Sequence, residues 1–503
     1  MFSEKNLIRV REGNKKPVRE EGEFVLYWIR ANRRLAWNHS LDYSIHLAKK
    51  FGKPLVIFES VKMDFEWSSP RLHRFLLEGI CDTAEEAKKK RFTYWAFVET
   101  EGVSLENVVP STLSRSALVV TDEFPCFFLP GHAEELSRTL DCKFLLVDSN
   151  SVVPLTAYED SYAYARVLRP RLHDRFLESF AFHSDPKPNS KGIPSSDALK
   201  PPEYLFSADR KDIDSVLARM KSRCPDVVPY TNRIGGRKEA LRLMAKFLKE
   251  GLPFYSEERS EPRPPETSRS SSLSPYLHFG MISSEELTLA ALQSDPRVTW
   301  TPETINHSQR GKNEGFFHPN PNVNSFLDEL LTWRELGFLF FHKSPGFRKD
   351  LSVLPDWAKK TLEFHKSDLR KYVYSKKELE NARTHDPIWN AAQKELVLTG
   401  SIQNYLRMLW GKKVIEWTRS PEEAFSILED LNHKYAYDGR DPNSYTGILW
   451  CFGAFDRPWF PEREIFGTVR YMSSESTAKK FKLKAYLDFI HSLEGKKEPG
   501  LFA

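Results

Sequence analysis

The sequence predicts an α/β protein with two domains: an N-terminal doubly wound parallel sheet of the Rossmann-like type, a long linker and a C-terminal all-helical domain. Up to residue 150, short continuous apolar runs alternate with amphipathic helical patterns, which is typical of strands buried on both faces of a parallel sheet. From Thr231 onward, helical patterns dominate. A length of 503 residues also exceeds the usual size of a single domain.

Apolar runs predict five strands: Phe24–Ile29, Pro54–Glu59, Tyr94–Val98, Ala117–Thr121 and Lys143–Val147. The patterns between them predict helices over His39–Phe51, Arg71–Lys90 and Ala133–Leu140. The fingerprint GxGxxG does not follow the first strand, where RANRRLAWN stands, so no dinucleotide clamp of the usual kind is expected in this half. A ligand of this domain would lie at the carboxyl ends of the strands.

Changes in amino-acid composition along the chain predict the domain boundaries. Residues 1–23 are polar and predict a flexible N-terminal arm, which is followed by the α/β domain over 24–150. The segment 151–227 is rich in Pro, Ser and Lys and predicts an interdomain linker. The helical domain then occupies 228–503.

Local signals place the helices of the second half. Asp386 before Pro387 predicts a helix start and Gly400 its end. Ser420 with Glu423 predicts a capping box for the next helix. Residues 431–470 contain more Gly, Pro, Asn and Asp than helices tolerate, so they are predicted to be mostly ordered loop.

Charge and cysteine content limit the function classes. The net charge of +5 and the pI near 8.7 suit a polyanionic partner without requiring one. The five scattered cysteines show no CxxC spacing, so neither disulfides nor a metal site are expected, and a reducing compartment is favoured. Because the chain has no signal peptide and no apolar run of about 18 residues, we expect a soluble cytoplasmic monomer, associated with the nucleoid if the source is prokaryotic.

Two motifs have both a functional and a structural interpretation. The loop Ser270–Ser274 places hydroxyl and N–H groups directly before an apolar helix, which suits a phosphate site or a flexible serine-rich turn. Glu329 and Trp333 lie four residues apart and share one helix face. They predict either a recessed site or a solvated charge beside a core tryptophan.

Aromatic rings and charges also alternate between Thr384 and Trp450. Trp410 and Trp417 are seven residues apart, so helical rise separates them by about 10 Å on one stripe. Such a stripe is more often core than an electron path. Arg407, one turn before Trp410, needs an anionic partner if it is buried, and Asp438 is the obvious candidate.

Six segments together resemble the photolyase/cryptochrome superfamily and, within it, the class II cyclobutane pyrimidine dimer photolyases: SLSPYLHFG, DELLTWREL, THDPIWNAAQ, NYLRMLWGKKVIEW, LNHKYAYDGRDPNSYTGILW and FDRPWFPEREIFGTVRYMS. The resemblance covers about residues 230 to 485, whereas the α/β domain matches mainly in layout. It implies a helical domain that binds FAD and UV-damaged DNA. The implied activity is light-driven repair, in which excited FADH⁻ gives an electron to a flipped-out dimer. A second antenna chromophore of unknown identity is also implied.

The resemblance gives roles to individual residues. Cofactor binding falls on Tyr255, Ser270, Ser271, Ser272, Leu273, Ser274, Arg334, Arg407, Asn432, Asp438, Gly439 and Asn443. Of these, Arg407 paired with Asp438 would lie beside the flavin ring and Asn432 would face its N5. Trp410, Trp389 and Trp417 match the proximal, middle and distal members of the electron-transfer chain. Glu329 would bond the base edge of the dimer, and the remaining substrate and DNA contacts fall on Trp333, Met408, Trp450, Asp456, Arg457 and Arg470.

Three stretches depart from the family pattern. RRLAWNHSLDYSIHLA differs from the usual opening, Arg259–Pro262 lacks an expected Asn, and the segment between Trp450 and Asp456 is one residue shorter. The main alternative is a cryptochrome-type blue-light photoreceptor that binds FAD without repair. A DNA-binding protein without chemistry and repair of the 6-4 photoproduct are the others. The retained dimer-pocket residues and the absence of a long C-terminal tail favour dimer repair.

Overall fold

The computed structural model of the protein describes residues 2–344 and 350–495. Its N-terminal half contains a six-stranded sheet in the order β1-β6-β5-β2-β3-β4. The strands are β1 Val10–Glu12, β2 Phe24–Ile29, β3 Leu55–Val61, β4 Thr93–Val98, β5 Ser116–Asp122 and β6 Lys143–Val147. Strands β2 to β6 pair in parallel and β1 pairs antiparallel with β6. All five predicted strands are confirmed.

Helices cover both faces of this sheet: α1 His39–Phe51, α2 Pro70–Lys90, α3 Leu105–Ser114 and α4 Leu129–Thr139. Alternate residues of β2 enter different apolar clusters, with Leu26 on one face and Val25 and Tyr27 on the other. This period of two, with every β2 residue buried, is what a sheet covered on both sides requires. The doubly wound prediction is therefore confirmed, although helix α3 was not predicted.

Residues 2–23 differ from the predicted flexible arm. They form a 3-10 helix over Glu4–Arg9 and then strand β1. The Arg9 guanidinium is buried and donates to the carbonyls of Ser151 at 2.9 Å and Val152 at 2.7 Å. It also lies 3.5 Å from the carboxylate of Glu285 in the helical domain. Arg9 thus belongs to a buried polar network that joins the two domains.

The predicted linker contains two helices, α5 Ala165–Ala181 and α6 Ile213–Leu217. Arg169 on α5 makes a buried ion pair of 2.7 Å with Asp328. Because a buried arginine needs such a partner, this pair fixes α5 against the helical domain. The segment is therefore more ordered than its composition suggests.

The C-terminal half is helical. Its first helices are α7 Arg237–Lys246, α8 Tyr255–Glu258, α9 Ser274–His278, α10 Ser284–Leu292, α11 Pro321–Leu327, α12 Arg334–Lys343, α13 Asp356–Phe364 and α14 Lys376–Glu380. The later helices are α15 Pro387–Thr399, α16 Asn404–Trp417, α17 Pro421–Tyr435, α18 Pro442–Cys451, α19 Ser474–Lys480 and α20 Lys484–Glu494. Two segments of the helical half, Phe247–Gly251 and Asp328–Trp333, are π-helical and so have wider turns than the α-helices next to them. In the described part of the chain, no helix is long and apolar enough to cross a membrane.

Most predicted caps are confirmed. The Asp386 side chain accepts the N–H groups of Ile388 and Trp389, and Gly400 ends α15 in the left-handed conformation. Ser420 caps α17, but the Glu423 carboxylate accepts the Arg419 N–H rather than closing the predicted box.

The prediction of ordered loop over 431–470 is wrong for Pro442–Cys451, which forms helix α18. Pro442 stands in the first turn, where its missing N–H has no intrahelical partner to lose, and Asp441 caps the helix. A composition rich in Pro, Asn and Asp therefore marks a helix start here.

Glu335 on α12 lies at the junction of the domains. Its carboxylate accepts the Val152 N–H at 2.6 Å. Burial raises its pKa to about 8, with that N–H and the guanidinium groups of Arg334 and Arg9 opposing the rise. The group is therefore protonated in the folded protein over a pH range in which the unfolded chain ionises.

We expect Glu335→Gln to be increasingly more stable than the wild type as the pH rises. Below the ordinary glutamate pKa of about 4.3, both the folded and the unfolded state carry the proton. Between that pH and about 8 only the unfolded wild type ionises, which lowers its free energy of unfolding by up to about 1.4 kcal/mol per pH unit. Glutamine keeps the oxygen that accepts the Val152 N–H.

Urea unfolding of both proteins at a series of pH values measures this difference. Glu134→Gln, on the exposed side of α4, is the matched control. Parallel stability curves for the wild type and Glu335→Gln would contradict a raised pKa at this carboxyl.

Candidate functional site

Helix α16 and the turn after α17 bring together an ion pair predicted from the sequence. Arg407 Nη2 lies 3.2 Å from Asp438 Oδ1. Burial would raise the pKa of Asp438, but the charge of Arg407 and a hydrogen bond from Ser274 hold it below its usual range. Ser274, Arg407 and Asp438 come from three separate segments, so the structure joins three of the predicted cofactor residues.

The serine loop meets this pair at its C-terminal end. Ser272 is held at φ +57° and its carbonyl accepts the Arg233 guanidinium at 3.2 Å. Ser271 Oγ accepts the Leu273 N–H at 3.3 Å, whereas Ser268 and Ser270 bond each other through their hydroxyls. The loop is thus ordered, and the helix that follows it, α9, is only five residues long.

Asn432 projects from the last turn of α17 and is 2% exposed. Its Nδ2 lies 3.3 Å from Nδ1 of His433. The Arg440 guanidinium caps this helix end by donating to the carbonyls of Ala436 at 3.2 Å and Tyr437 at 3.3 Å. Gly439 is required here because an added Cβ would lie 3.0 Å from the Asn432 carbonyl oxygen.

Two further predicted cofactor residues lie next to this region. Asn443 lies in the first turn of α18, and its backbone and side-chain N–H groups donate to the carboxylate of the capping residue Asp441. A Cβ added to Gly337 on α12 would lie only 2.7 Å from the Asn443 Oδ1, so α12 and α18 approach each other closely at this point. Arg334 donates to the Asn150 carbonyl at 2.7 Å.

Glu329 lies in the π-helical segment before α12. Its carboxylate is 2.5 Å from Arg259 Nη1. Its recessed position raises its pKa, and Arg259 opposes the rise. Tyr255, predicted to hold a pyrophosphate, lies beside this pair, with the Arg259 guanidinium 5.6 Å from its ring centre. π segments are frequent at functional sites because the extra residue redirects the side chains around it.

Trp333 and Trp450 form a single aromatic wall. Their ring centres are 4.7 Å apart and their planes are inclined by 27°. Both indoles are half-buried, as is Met408 on α16. The structure therefore brings two predicted dimer-contacting tryptophans into direct stacking.

Asp456 connects this wall to an exposed basic edge. Its carboxylate accepts the Trp450 indole N–H at 3.4 Å and the Trp459 indole N–H at 3.1 Å. The guanidinium groups of Arg457 and Arg470 lie 4.7 and 4.8 Å from the Trp459 ring centre. Both arginines are exposed, which suits contact with a phosphate backbone.

The three predicted chain tryptophans lie in the core. Trp389 and Trp417 have ring centres 5.5 Å apart. The Trp389 indole N–H donates to the Trp410 carbonyl at 3.0 Å, and the Trp410 indole N–H donates to Gln393 Oε1 at 2.8 Å. All three side chains are almost completely buried. The core interpretation of the stripe is thus confirmed, and the rings of Trp389 and Trp417 are neighbours within it.

A cavity of about 2080 Å³ lies along the face of the sheet covered by α3 and α4 and reaches the carboxyl ends of β2 and β3. The Trp28 indole in its wall is 5.5 Å from the His132 ring and 5.8 Å from the Arg30 guanidinium. His278 and Arg440 of the helical domain also line it. It lies beside β2, where the strand order reverses, which is the usual ligand position in such sheets.

Sequence reasoning missed several residues that complete the site. Arg259 entered the prediction only as part of a divergent stretch, although it neutralises Glu329. Gln393, Arg233 and Arg440 had no assigned role. Gln393 and Arg233 bond residues distant in sequence, so periodicity carries no signal for them. Arg440 bonds carbonyls three and four residues earlier, in a segment predicted only as ordered loop. Among the described residues, no group of three or more His, Cys, Asp or Glu side chains could hold a metal ion.

Comparison with known proteins gives a consistent result. The deoxyribodipyrimidine photo-lyase of Methanothermobacter thermautotrophicus is 35% identical over 487 residues, which is 96% of this chain and 98% of the relative. Those of Oryza sativa subsp. japonica and Arabidopsis thaliana are 31% and 30% identical, covering 97% of this chain and 90% and 92% of the relatives. The crystal structure of a bacterial class III photolyase from Agrobacterium tumefaciens matches 94% of this chain and 86% of that one, with a TM-score of 0.63 at 15% identity. No family model matches the chain.

Proposed function

The chain belongs to the deoxyribodipyrimidine photo-lyase family of DNA-repair enzymes, and from this premise we propose that it is a class II member that repairs cyclobutane pyrimidine dimers with light. The observation that carries the proposal is the group formed by Glu329, Arg259 and the stacked pair Trp333 and Trp450. A recessed carboxyl beside an aromatic wall is suited to a pair of bases that has left the duplex.

The residues around Arg407 fit an FAD. Asp438 engages only Nη2 of Arg407, at 3.2 and 3.4 Å, so the guanidinium keeps other N–H donors for an anionic ligand. Asn432 supplies an amide at the same helix end, and Arg233 orders the serine loop for phosphate. Bound in its reduced form, FADH⁻ would absorb light and supply the electron that splits the cyclobutane ring.

The protein would recognise the dimer through position and polarity. The Glu329 carboxylate, held by Arg259, would accept hydrogen bonds from N–H groups at the base edge. The tryptophan wall would stack against the extruded bases and exclude water. Because a dimer is poorly stacked in the duplex, its extrusion needs less energy than that of a normal pair. Arg457 and Arg470 would hold the flanking phosphates.

We expect the protein with reduced flavin to restore thymine absorbance in a dimer-containing oligonucleotide under illumination. Glu329→Gln should lower the preference for dimer-containing over undamaged DNA by about ten- to a hundredfold, because a hydrogen bond to a charged group contributes about 1.5–3 kcal/mol. Absorbance recovery and competition binding measure the two effects.

The matched control is Glu134→Gln, which removes an exposed carboxylate far from this wall. Bound reduced flavin without recovery would refute dimer repair and favour the photoreceptor alternative. A colourless preparation that still binds DNA would favour a binding protein without chemistry. Recovery only with a 6-4 photoproduct would change the proposed substrate.

We further expect Trp410→Phe to block light-driven reduction of the oxidised flavin while repair by the pre-reduced protein stays within about twofold of wild type. The reason is that Trp410 would pass electrons toward the flavin, whereas repair draws on an electron already there. Absorbance during illumination with an external reductant, and repair after chemical reduction, separate the two. Equal loss of both activities would show that Trp410 is only structural.

We also propose that the cavity beside β2 holds the second, light-absorbing chromophore. Its aromatic wall around Trp28 and the neighbouring Arg30 guanidinium suit a flat ligand with an anionic group. His278 and Arg440 line the same cavity and contact the elements around Asn432 and Asp441. A chromophore bound there would thus be close to the helical domain.

Gly131→Phe should remove this chromophore without affecting repair by the flavin itself. Gly131 lies on α4 at the cavity, and a Cβ added there meets no atom within 4 Å, so a ring can enter the open space. The action spectrum of repair should then match the absorption spectrum of the reduced flavin alone. Gly131→Ala, which adds only the Cβ, is the control. An unchanged wavelength dependence in Gly131→Phe would refute the proposed position.

A further inference from the structure

Gln393 is a buried polar side chain for which the proposed repair reaction has no role. It lies on α15, is 0% exposed and accepts the Trp410 indole N–H on Oε1 at 2.8 Å. Its Nε2 donates to the Glu380 carbonyl at 3.1 Å. Because Nε2 can only donate and a carbonyl can only accept, this second bond fixes which end of the amide faces the indole.

Both inner tryptophans have neutral hydrogen-bond acceptors. The Trp410 indole bonds a side-chain amide oxygen, and the Trp389 indole bonds the backbone carbonyl of Trp410. Glu380, whose backbone carbonyl accepts the amide, has its carboxylate engaged elsewhere: it accepts Lys434 and the Tyr435 hydroxyl, each at 2.7 Å. The acceptor at each of the two indole N–H groups is therefore an amide or carbonyl oxygen and not a carboxylate or imidazole.

The acceptor decides what an oxidised indole does with its proton. Removal of one electron makes the indole N–H acidic, so a carboxylate or imidazole at hydrogen-bond distance would take the proton. An amide oxygen is a far weaker base and leaves the proton on nitrogen. A deprotonated indole radical is harder to reduce, because its return to the neutral indole requires a proton as well as an electron.

We propose that Gln393 is a positioning residue that keeps the proton on Trp410 Nε1 during electron transfer. The oxidised indole then remains a cation that can take an electron from the next tryptophan. With an oxidised flavin bound and excited by light, Trp410 would give one electron to it and would then take one from Trp389. No proton moves in either step, so charge and atoms balance. This inference rests on the proposed function of the tryptophan row.

The first test uses the unaltered protein. Flash excitation of the holoenzyme in H₂O and D₂O, followed by transient absorption and electron paramagnetic resonance, distinguishes a protonated from a deprotonated tryptophan radical. We expect the protonated form first and equal rates in the two solvents. A deprotonated radical at the first observable step, or a slower first step in D₂O, would overturn the proposal.

The second test introduces a base at the same place. Gln393→Glu preserves the shape of the side chain. Because burial raises the pKa of a carboxyl, alkaline pH is needed to ionise it. The carboxylate can then take the Trp410 proton. We expect a deprotonated radical, about tenfold slower flavin photoreduction and a new solvent isotope effect. Gln293→Glu, at the exposed end of α10, adds the same charge as a control. Wild-type behaviour of Gln393→Glu would contradict the proposal.

The third test does not depend on the flavin reaction. Gln393→Met retains the size of the side chain but removes its acceptor, so the ¹⁵N–¹H resonance of the Trp410 indole should move upfield and its proton should exchange at least tenfold faster. Trp410→Phe assigns this resonance by removing it. An unchanged resonance would show that the hydrogen bond does not hold the proton.

The outcomes separate this inference from the proposed function. If Trp410→Phe leaves photoreduction intact, the tryptophan row itself is refuted. If Trp410→Phe blocks it while the radical in Gln393→Glu stays protonated, only the role of Gln393 is refuted. If Gln393→Glu does not fold, the solvent comparison on the wild type decides the question alone.

Discussion

The helical domain depends on one largely buried carboxylate, that of Asp438, whose side chain is 15% exposed. It pairs with Arg407 at 3.2 Å, accepts a hydrogen bond from Ser274 and lies in a turn whose carbonyl accepts the Ser444 hydroxyl at 2.6 Å. A buried charge is tolerated only when it is paired and hydrogen-bonded. The same requirement that stabilises Asp438 therefore fixes the positions of the serine loop, α16 and α18 relative to one another. The orientation of the predicted flavin site follows from this constraint and not from the apolar core alone.

The sequence predicts those parts of the molecule whose causes are local. The caps at Asp386 and Gly400 and the buried strand Phe24–Ile29 follow from short patterns, and the structure confirms them. The arm at Arg9 was predicted wrongly, because composition treats an arginine as solvated unless its partners are known. Helix α18 was missed because Pro442 was taken as a breaker when it is the first helical residue. The error at Arg9 has partners outside the local window, whereas at α18 the composition of the segment was given more weight than the local Asp–Pro start signal that correctly placed α15.

The same limit applies to the candidate site. Periodicity correctly places Trp410 and Trp417 on one helix, but it cannot show that the Trp410 indole meets Gln393 on another. It also treats Glu329 as a residue of a regular α-helix, whereas a π segment there places it against Arg259, a residue 70 positions earlier. The family resemblance supplied the roles of most site residues. The structure adds the residues that hold them in place, which the resemblance did not name.

Two cations of α16 near these tryptophans have carboxylate partners. At the inner end, Arg407 is neutralised by Asp438, and at the outer end Lys413, 5.6 Å from the Trp417 ring, is neutralised by Glu416 at 2.8 Å. In a medium of low dielectric constant an unpaired charge at such a distance would change the energy of an indole cation by several kcal/mol, about 3 kcal/mol at an effective dielectric constant of 20. Pairing removes most of this effect for both cations. Neither Arg407 nor Lys413 therefore adds a full unpaired charge that would oppose a positive charge formed at a nearby indole.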